Sequence, residues 1–535
     1  MANLIMAVPL VTIRDNGKYS FAVLSLGAVV VFILLRSLYR AHFHPLRKIP
    51  GPRLAQITEL WRTWQYFKGG WFYDVAALHR VYGPVVRIAP NEVSVVSSDL
   101  IKTIFSHSGG TPKTAWYDTW LGLTGDATRT DAPRSTFTVT DVKHHSFLRR
   151  RVSAAYSMST IVSMEPLIQT ILDSLWNQFE QLASTNTPVN LSLWASFFTY
   201  DIVGKLSLGE PLGFIAAGHD KNSLIPTIHK ITSWAANMGA LPGRSAWYAN
   251  PLITWLGPKI GIQITDFAKL FAGFSVDQIP QRMQECREEG GDPGKTKQRD
   301  MLDYFVGMKD EKGGPASIRD ISIEVGSLVA AGADTTSVAI KAVLCPILED
   351  PLRYQRLQRE IDDAHERSGL NNASAGNLSF SNLKELPFLD ACIKEGLRLH
   401  PSIVYQLPRK APEGGITIEG YYIHPSATVS MSPVAQNRCR SIFGEDADEY
   451  RPERWIEGEG SSGEQIKEMN KQLATFGYGS RTCIGRNLAM FELFKFVAQL
   501  LSRYQVELCT GKKEWAVHAM WFAEIHNQGD KGSFF

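Results

Sequence analysis

The sequence predicts a mainly α-helical protein with small β-sheets, organised as one large domain behind a single N-terminal transmembrane helix. Three patterns predict this. There is an uncharged apolar run near the N-terminus, long apolar segments of helical length fill most of the remainder, and only a few short alternating runs are bounded by turn residues. The 535 residues are 44% apolar and 20% charged, enough to build a sizeable core. A formal charge of +3, with no basic stripe interleaved with aromatics, argues against nucleic acid as a partner. The six cysteines form no CxxC pair and accompany no histidine cluster at zinc spacing, which fits a reducing compartment.

The first element is the run Ser20–Leu35, which extends through Leu38 to the length a spanning helix needs. Arg36, Arg40, Arg47 and Lys48 follow it, and no small-residue cleavage pattern does, so it reads as an anchor rather than a signal peptide. The expected division is a lumenal stretch 1–19, an anchor 20–38, a basic and proline-rich hinge 39–54 and a cytoplasmic domain 55–535. Pro50-Gly51-Pro52 ends any helix there. Asn190, Asn372 and Asn377 begin N-x-S sequons that a cytoplasmic domain leaves unmodified. Strands are expected near 84–97 and 416–431, and long helices over 145–158, 160–183, 318–349, 381–399 and 484–505. Surface loops are expected over 284–300 and 457–470.

The stretch FGYGSRTCIG, residues 476–485, places one cysteine in a glycine-rich loop directly before an apolar helix. Gly477, Gly479 and Gly485 allow positive φ and close backbone approach. Backbone N–H groups and the helix N-terminus behind Cys483 favour a thiolate. Arg481 adds a guanidinium suited to carboxylates. A thiolate beside a carboxylate-binding arginine fits a haem-iron ligand, since haem carries two propionates. A lone buried cysteine would need no such surroundings, and the five specified positions Phe476, Gly479, Arg481, Cys483 and Gly485 coincide within ten residues.

This pattern resembles the signature of the cytochrome P450 family, the haem-thiolate monooxygenases, and the resemblance extends along almost all of the chain after the anchor. It implies a role for further motifs. Glu395 and Arg398 in KEGLR, with Arg454 in RPERW, match a buried structural triad behind the haem loop. In AAGADTTS, mid-helix glycine, aspartate and threonines are poor helix formers, which suits either a local purpose or a tolerated kink with hydroxyls bonding back to the preceding turn. By resemblance this is a widened turn in which Gly332 leaves room for dioxygen, Thr335 donates to the distal oxygen and Asp334 feeds protons from water. His145 and Arg149 match a propionate-binding H-x-x-x-R, within a run Arg149–Arg151 that also reads as a basic face for an acidic electron donor. Arg409 matches a further propionate arginine. Asn437 and Cys439 depart from common family residues, and the reading places neither near the chemistry.

The resemblance implies haem b held by Cys483, electrons from an NADPH-dependent cytochrome reductase, and cytochrome b5 as a further donor. It also implies a single-pass place in the endoplasmic reticulum membrane and insertion of one oxygen atom from dioxygen into a substrate. Substrate contacts are expected from 107–143, 205–260, the helix before Gly332, 401–408 and 518–526, which contain Trp116, Trp120, Phe214, Trp234, Trp247, Val404, Tyr405 and Trp521. Such a lining suits a bulky apolar small molecule, of the kind fungal members oxidise in making terpenoid, polyketide or alkaloid metabolites. The competing reading is a haem-thiolate isomerase or dehydratase that takes no reductase electrons. The intact Asp334–Thr335 pair argues against it.

Overall fold

The computed structural model describes residues 17–106, 111–124, 134–185, 187–243, 246, 250–257, 259, 278–286, 288, 299–369, 378–508 and 515–527. Its first element is the helix Gly17–His42, along which Leu24, Phe32, Leu34 and Leu38 are all exposed. This helix is long and apolar enough to cross a membrane. The segment 39–54 is fastened to the body rather than free. Arg40 Nη1 donates to the Ile57 carbonyl at 2.8 Å, and Arg87 N donates to the Pro50 carbonyl at 2.7 Å. A Cβ at Gly51 would lie 2.3 Å from the Arg87 carbonyl oxygen, so glycine is what lets the chain run this close to strand Val85–Ala89.

That strand forms a hairpin with Glu92–Val95, which pairs in parallel with Thr428–Met431, which in turn pairs antiparallel with Arg409–Lys410. The register sets Arg409 opposite Val429 and so fixes one of the expected site residues on a sheet edge. Ile416–Ile418 and Tyr421–Ile423 make a second hairpin, and Trp515–Ala519 with Ala523–Asn527 a third.

The central helix, Ile318–Leu348, starts at a capping box between Ser317 and Asp320. It too has the length and hydropathy of a membrane span, but it lies buried against the helices Leu191–Leu208, Pro387–Leu399 and Arg486–Arg503. Several boundaries differ from the sequence expectation for local reasons. The helix expected over 145–158 runs Val142–Val152 from an Asp141 cap, and a separate turn Met158–Ser163 begins at Ser157. The helix expected over 160–183 runs Glu165–Ser184. Pro387 divides the helix expected over 381–399 into Phe380–Lys384 and Pro387–Leu399. The polar stretch 457–470, expected as a loop, contains most of the helix Gly463–Gln472, because a Ser462–Gln465 capping box starts one there. Trp247, Asn372, Asn377 and part of 284–300 lie outside the described residues.

Candidate active site

The cysteine loop closes on itself: Cys483 N donates to the Phe476 carbonyl at 2.7 Å. Gly477 and Gly479 have φ of +68° and +61°, and a Cβ at Gly479 would collide with the Phe105 carbonyl oxygen at 1.6 Å. Gly485 differs from the expectation. Its φ is −78°, so its value is the close pass of backbone to sulfur, and the helix begins one residue later at Arg486. Cys483 is walled in by protein yet accessible, so its thiol faces an interior space. Burial raises the bare thiol's pKa, and the N–H groups of Gly485 and Arg486 with the charge of Arg149 offset only part of that. The expected donors are therefore present, but they do not by themselves make a thiolate; coordination to a metal would.

Four cations gather near this loop. His145 is buried among Arg481, Lys113, Arg149 and Arg409. First its burial and then their charges press its pKa down to about 3, so the ring is neutral. Burial and the neighbouring arginines likewise lower Arg481 to about 10 and hold Lys113 well below the usual lysine value. Arg409 is buried with Nε and Nη1 unpaired, and Arg481 Nη1 is buried and unpaired as well. Buried guanidinium donors without acceptors, packed against other cations, call for an anion. A dianionic ligand carrying two carboxylates fits that demand, and a metal beside Cys483 fits the thiol. Together these are what a haem presents.

Behind the loop, Glu395, Arg398 and Arg454 form the expected triad, each almost fully buried. Arg398 grips Glu395 with two hydrogen bonds of 2.8 Å, while Arg454 Nε and Trp455 Nε1 add bonds of 2.9 and 2.8 Å. Arg398 Nη1 also donates to the Asn437 and Ala447 carbonyls at 2.7 and 2.6 Å. Asn437, expected to lie away from the chemistry, is buried behind the cysteine loop. Its amide donates to the Arg398 carbonyl and to Thr475 Oγ1, both at 3.0 Å, and accepts from Ala474 N at 2.8 Å. It thus ties the triad to the residues that enter the cysteine loop.

In the central helix the expected widened turn is not formed, and the helix runs unbroken through Ala330–Ser337. Thr335 Oγ1 donates back to the Ala331 carbonyl at 2.7 Å. Ala331 and Thr335, one turn apart, are less buried than the residues around them and mark an open face of this core helix. A Cβ at Gly332 would press on Val203 of the neighbouring helix at 3.0 Å. The smallness of this glycine serves helix packing. Asp334 is buried, accepting from Tyr200 OH at 2.8 Å and facing His229 Nε2 at 2.9 Å.

A family model, Cytochrome P450, matches residues 50–527. The chain belongs to the cytochrome P450 family. Membership carries the monooxygenase class, a haem cofactor, electrons supplied by a reductase and a small-molecule substrate. Among relatives, the chain is 32% identical to the cytochrome P450 monooxygenase cicH of Emericella nidulans over 89% of its own length and 91% of the relative's. It is 30% identical to gsfF of Penicillium aethiopicum over 94% and 96%. It is 28% identical to a pisatin demethylase of Fusarium vanettenii over 93% and 92%.

In this cytochrome P450 the expected substrate residues divide. Trp116, Trp120, Phe137 and Trp521 pack as one aromatic cluster, the closest pair being Trp120 and Trp521 with ring centroids 4.5 Å apart. Trp521 holds φ at +112°, a region that side chains rarely occupy. Tyr405 joins the cluster through Trp521 and donates to Asn237 Oδ1 at 2.7 Å. Phe214 instead stacks on Phe197 and belongs to the core. Trp234 lines a separate cavity with His229 and Phe522. The basic run also divides, because Arg151 pairs with Asp320 and Glu324 at 3.2 Å and is withdrawn from any solvated face. Sequence reasoning missed Lys113, whose Nζ donates to the Thr136 and Phe137 carbonyls at 2.9 and 2.6 Å and faces the Tyr117 ring. A lysine in an irregular stretch carries no motif, so nothing in the sequence flagged it.

Proposed function

We propose that this cytochrome P450 is a membrane-anchored monooxygenase that inserts one oxygen atom from dioxygen into a bulky apolar small molecule, in the making of a fungal secondary metabolite of terpenoid, polyketide or alkaloid type. The observation that carries the assignment is the interior thiol of Cys483 beside a cluster of buried, incompletely paired cations. Cys483 would hold the iron of haem b through its sulfur. Arg409, Arg481, Arg149, Lys113 and His145 would take the propionates, and Phe476, Gly479 and Gly485 shape the loop. Bound haem supplies the activation of dioxygen and its transfer to carbon. The protein holds the cofactor, delivers protons through Asp334 and Thr335, and positions the substrate against the aromatic cluster. Thr335 reaches this task by turning its hydroxyl away from the Ala331 carbonyl, a rotation about one side-chain bond. Glu395, Arg398 and Arg454 are structural.

Electrons come from an NADPH-cytochrome reductase, with cytochrome b5 as a further donor, on the endoplasmic reticulum membrane. The helix Gly17–His42 anchors the chain there in a single pass, with the domain 55–535 in the cytoplasm and the arginines after the helix on that side. Deleting the gene, identifying the metabolite that accumulates and supplying it to purified enzyme tests the assignment. Oxygenated product that requires both NADPH and reductase supports it. Product formed without either would establish an isomerase or dehydratase instead.

A further inference from the structure

Asp334 has no direct route to solvent. Its side chain is 1% exposed; Oδ2 accepts from Tyr200 OH at 2.8 Å, and Oδ1, which makes no aligned hydrogen bond, lies 2.9 Å from His229 Nε2. His229, on the helix Leu224–Met238, is different, with its side chain 30% exposed. It lines a cavity of about 420 Å³ together with Lys230, Trp234, His518, Phe522 and Glu524, and the exposed Lys230 and His518 mark where this cavity opens outward. One face of the imidazole meets the buried carboxylate and another meets accessible space.

The charged groups around the ring come from every element packed on it. Asp334 and Lys341 lie on the central helix, Glu524 is on the strand Ala523–Asn527 and Lys230 is the ring's own neighbour in sequence. Glu524 Oε1 is 3.8 Å from His229 Nε2, while its Oε2 accepts from Lys341 Nζ at 2.7 Å. Tyr200 reaches the group through Asp334, and its hydroxyl, whose pKa burial and Asp334 push well up, is not an acid at physiological pH.

We propose that His229 is the positioning residue through which Asp334 draws its protons, and that the cavity beside it is their point of entry. This rests on the monooxygenase reading above. Net, substrate RH, dioxygen, two electrons from NADPH and two protons give ROH and water. For each proton, imidazolium Nε2–H passes its proton to Asp334 Oδ1. Asp334 hands the proton on, and the neutral ring, now bearing only Nδ1–H, turns about its Cβ–Cγ bond to bring the bare Nε2 to the cavity, where it takes a proton from water in exchange with bulk solvent. Burial works against the charged ring, but the hydrogen bond and charge of Asp334, then the charge of Glu524, outweigh it and raise its pKa above the ordinary value of 6.5. That shift favours the protonated ring, the form that can donate toward Asp334.

His229→Gln separates relay from scaffold, because the glutamine amide fills the same place beside Asp334 but does not titrate. Full-length holoenzyme with saturating reductase, NADPH and dioxygen, and no organic substrate, is sufficient. Its NADPH oxidation should fall roughly tenfold, below the 10²–10⁴-fold a direct acid–base group supplies. The ratio of rates in H₂O and D₂O should rise, and the pH profile should lose its midpoint above 6.5. Independently of turnover, the wild type should be more stable to heat than the variant at pH 6. That margin should be lost as pH rises through the ring's folded pKa. Unchanged rate, isotope effect and pH profile in a variant that melts like the wild type would overturn the proposal. Thr335→Ala, measured alongside, separates the two readings. If it raises peroxide release and His229→Gln changes nothing, only the relay through His229 fails; if it too changes nothing, the assignment of the Asp334–Thr335 pair fails.

Discussion

At the scale of single residues, the site is decided by what each group lacks. Arg409 is a buried guanidinium with Nε and Nη1 unpaired, an arrangement that costs free energy until an anion arrives. Arg409→Ala should therefore weaken haem retention more than it weakens the fold, read as a lower haem-to-protein ratio after gel filtration with little change in circular dichroism. Lys113→Met should act the same way more weakly, since Lys113 already has two carbonyl acceptors. Thr335→Ala removes a hydroxyl that, among the described residues, bonds to its own helix, so stability should hold while peroxide released per NADPH rises. The residues legible in the sequence were those with fixed neighbours, such as Cys483 and Arg481. Lys113 and His229 were not legible, because their importance comes from groups far along the chain.

At the scale of elements, the cysteine loop depends on glycine at one position above others. Gly479→Ala puts a Cβ 1.6 Å from the Phe105 carbonyl oxygen at a φ of +61°, so the loop must move. Purified variant should carry little haem, and normal haem content would show that the loop tolerates the shift. The triad holds the loop from behind through Asn437. Glu395 is buried between Arg398 and Arg454. Burial alone would raise its pKa, but those bonds and charges outweigh it and the net shift is downward. A lowered carboxylate pKa contributes stability above the unfolded value near 4.5 and loses it as pH falls through the folded value. Glu395→Gln leaves two buried arginines under-compensated and should cost about 3–5 kcal/mol in unfolding experiments near neutral pH. That difference should shrink in acid. Helix positions were legible from apolar spacing, but their ends were not, because Pro387, Ser157 and the Ser462–Gln465 box act over single residues.

At the scale of the whole molecule, the sequence announced one helix-rich body and one exposed apolar helix, and both are present. What it could not announce is which helix faces meet. Nothing in the sequence sets Val203 against Gly332, and Asp334 reads as water-facing until Tyr200 and His229 cover it. Removing residues 1–38 should shift the protein from the membrane pellet to the supernatant on centrifugation at high salt, because the exposed side chains of Leu24–Leu38 go with them. The most direct test of the account is the carbon-monoxide difference spectrum of reduced full-length holoprotein, compared with Cys483→Ser. The wild type should show the absorption band of a thiolate-ligated haem, and the variant should lose it. The same band in the variant, or a wild-type band of nitrogen-ligated haem, would contradict the assignment of Cys483 and with it the site built around it.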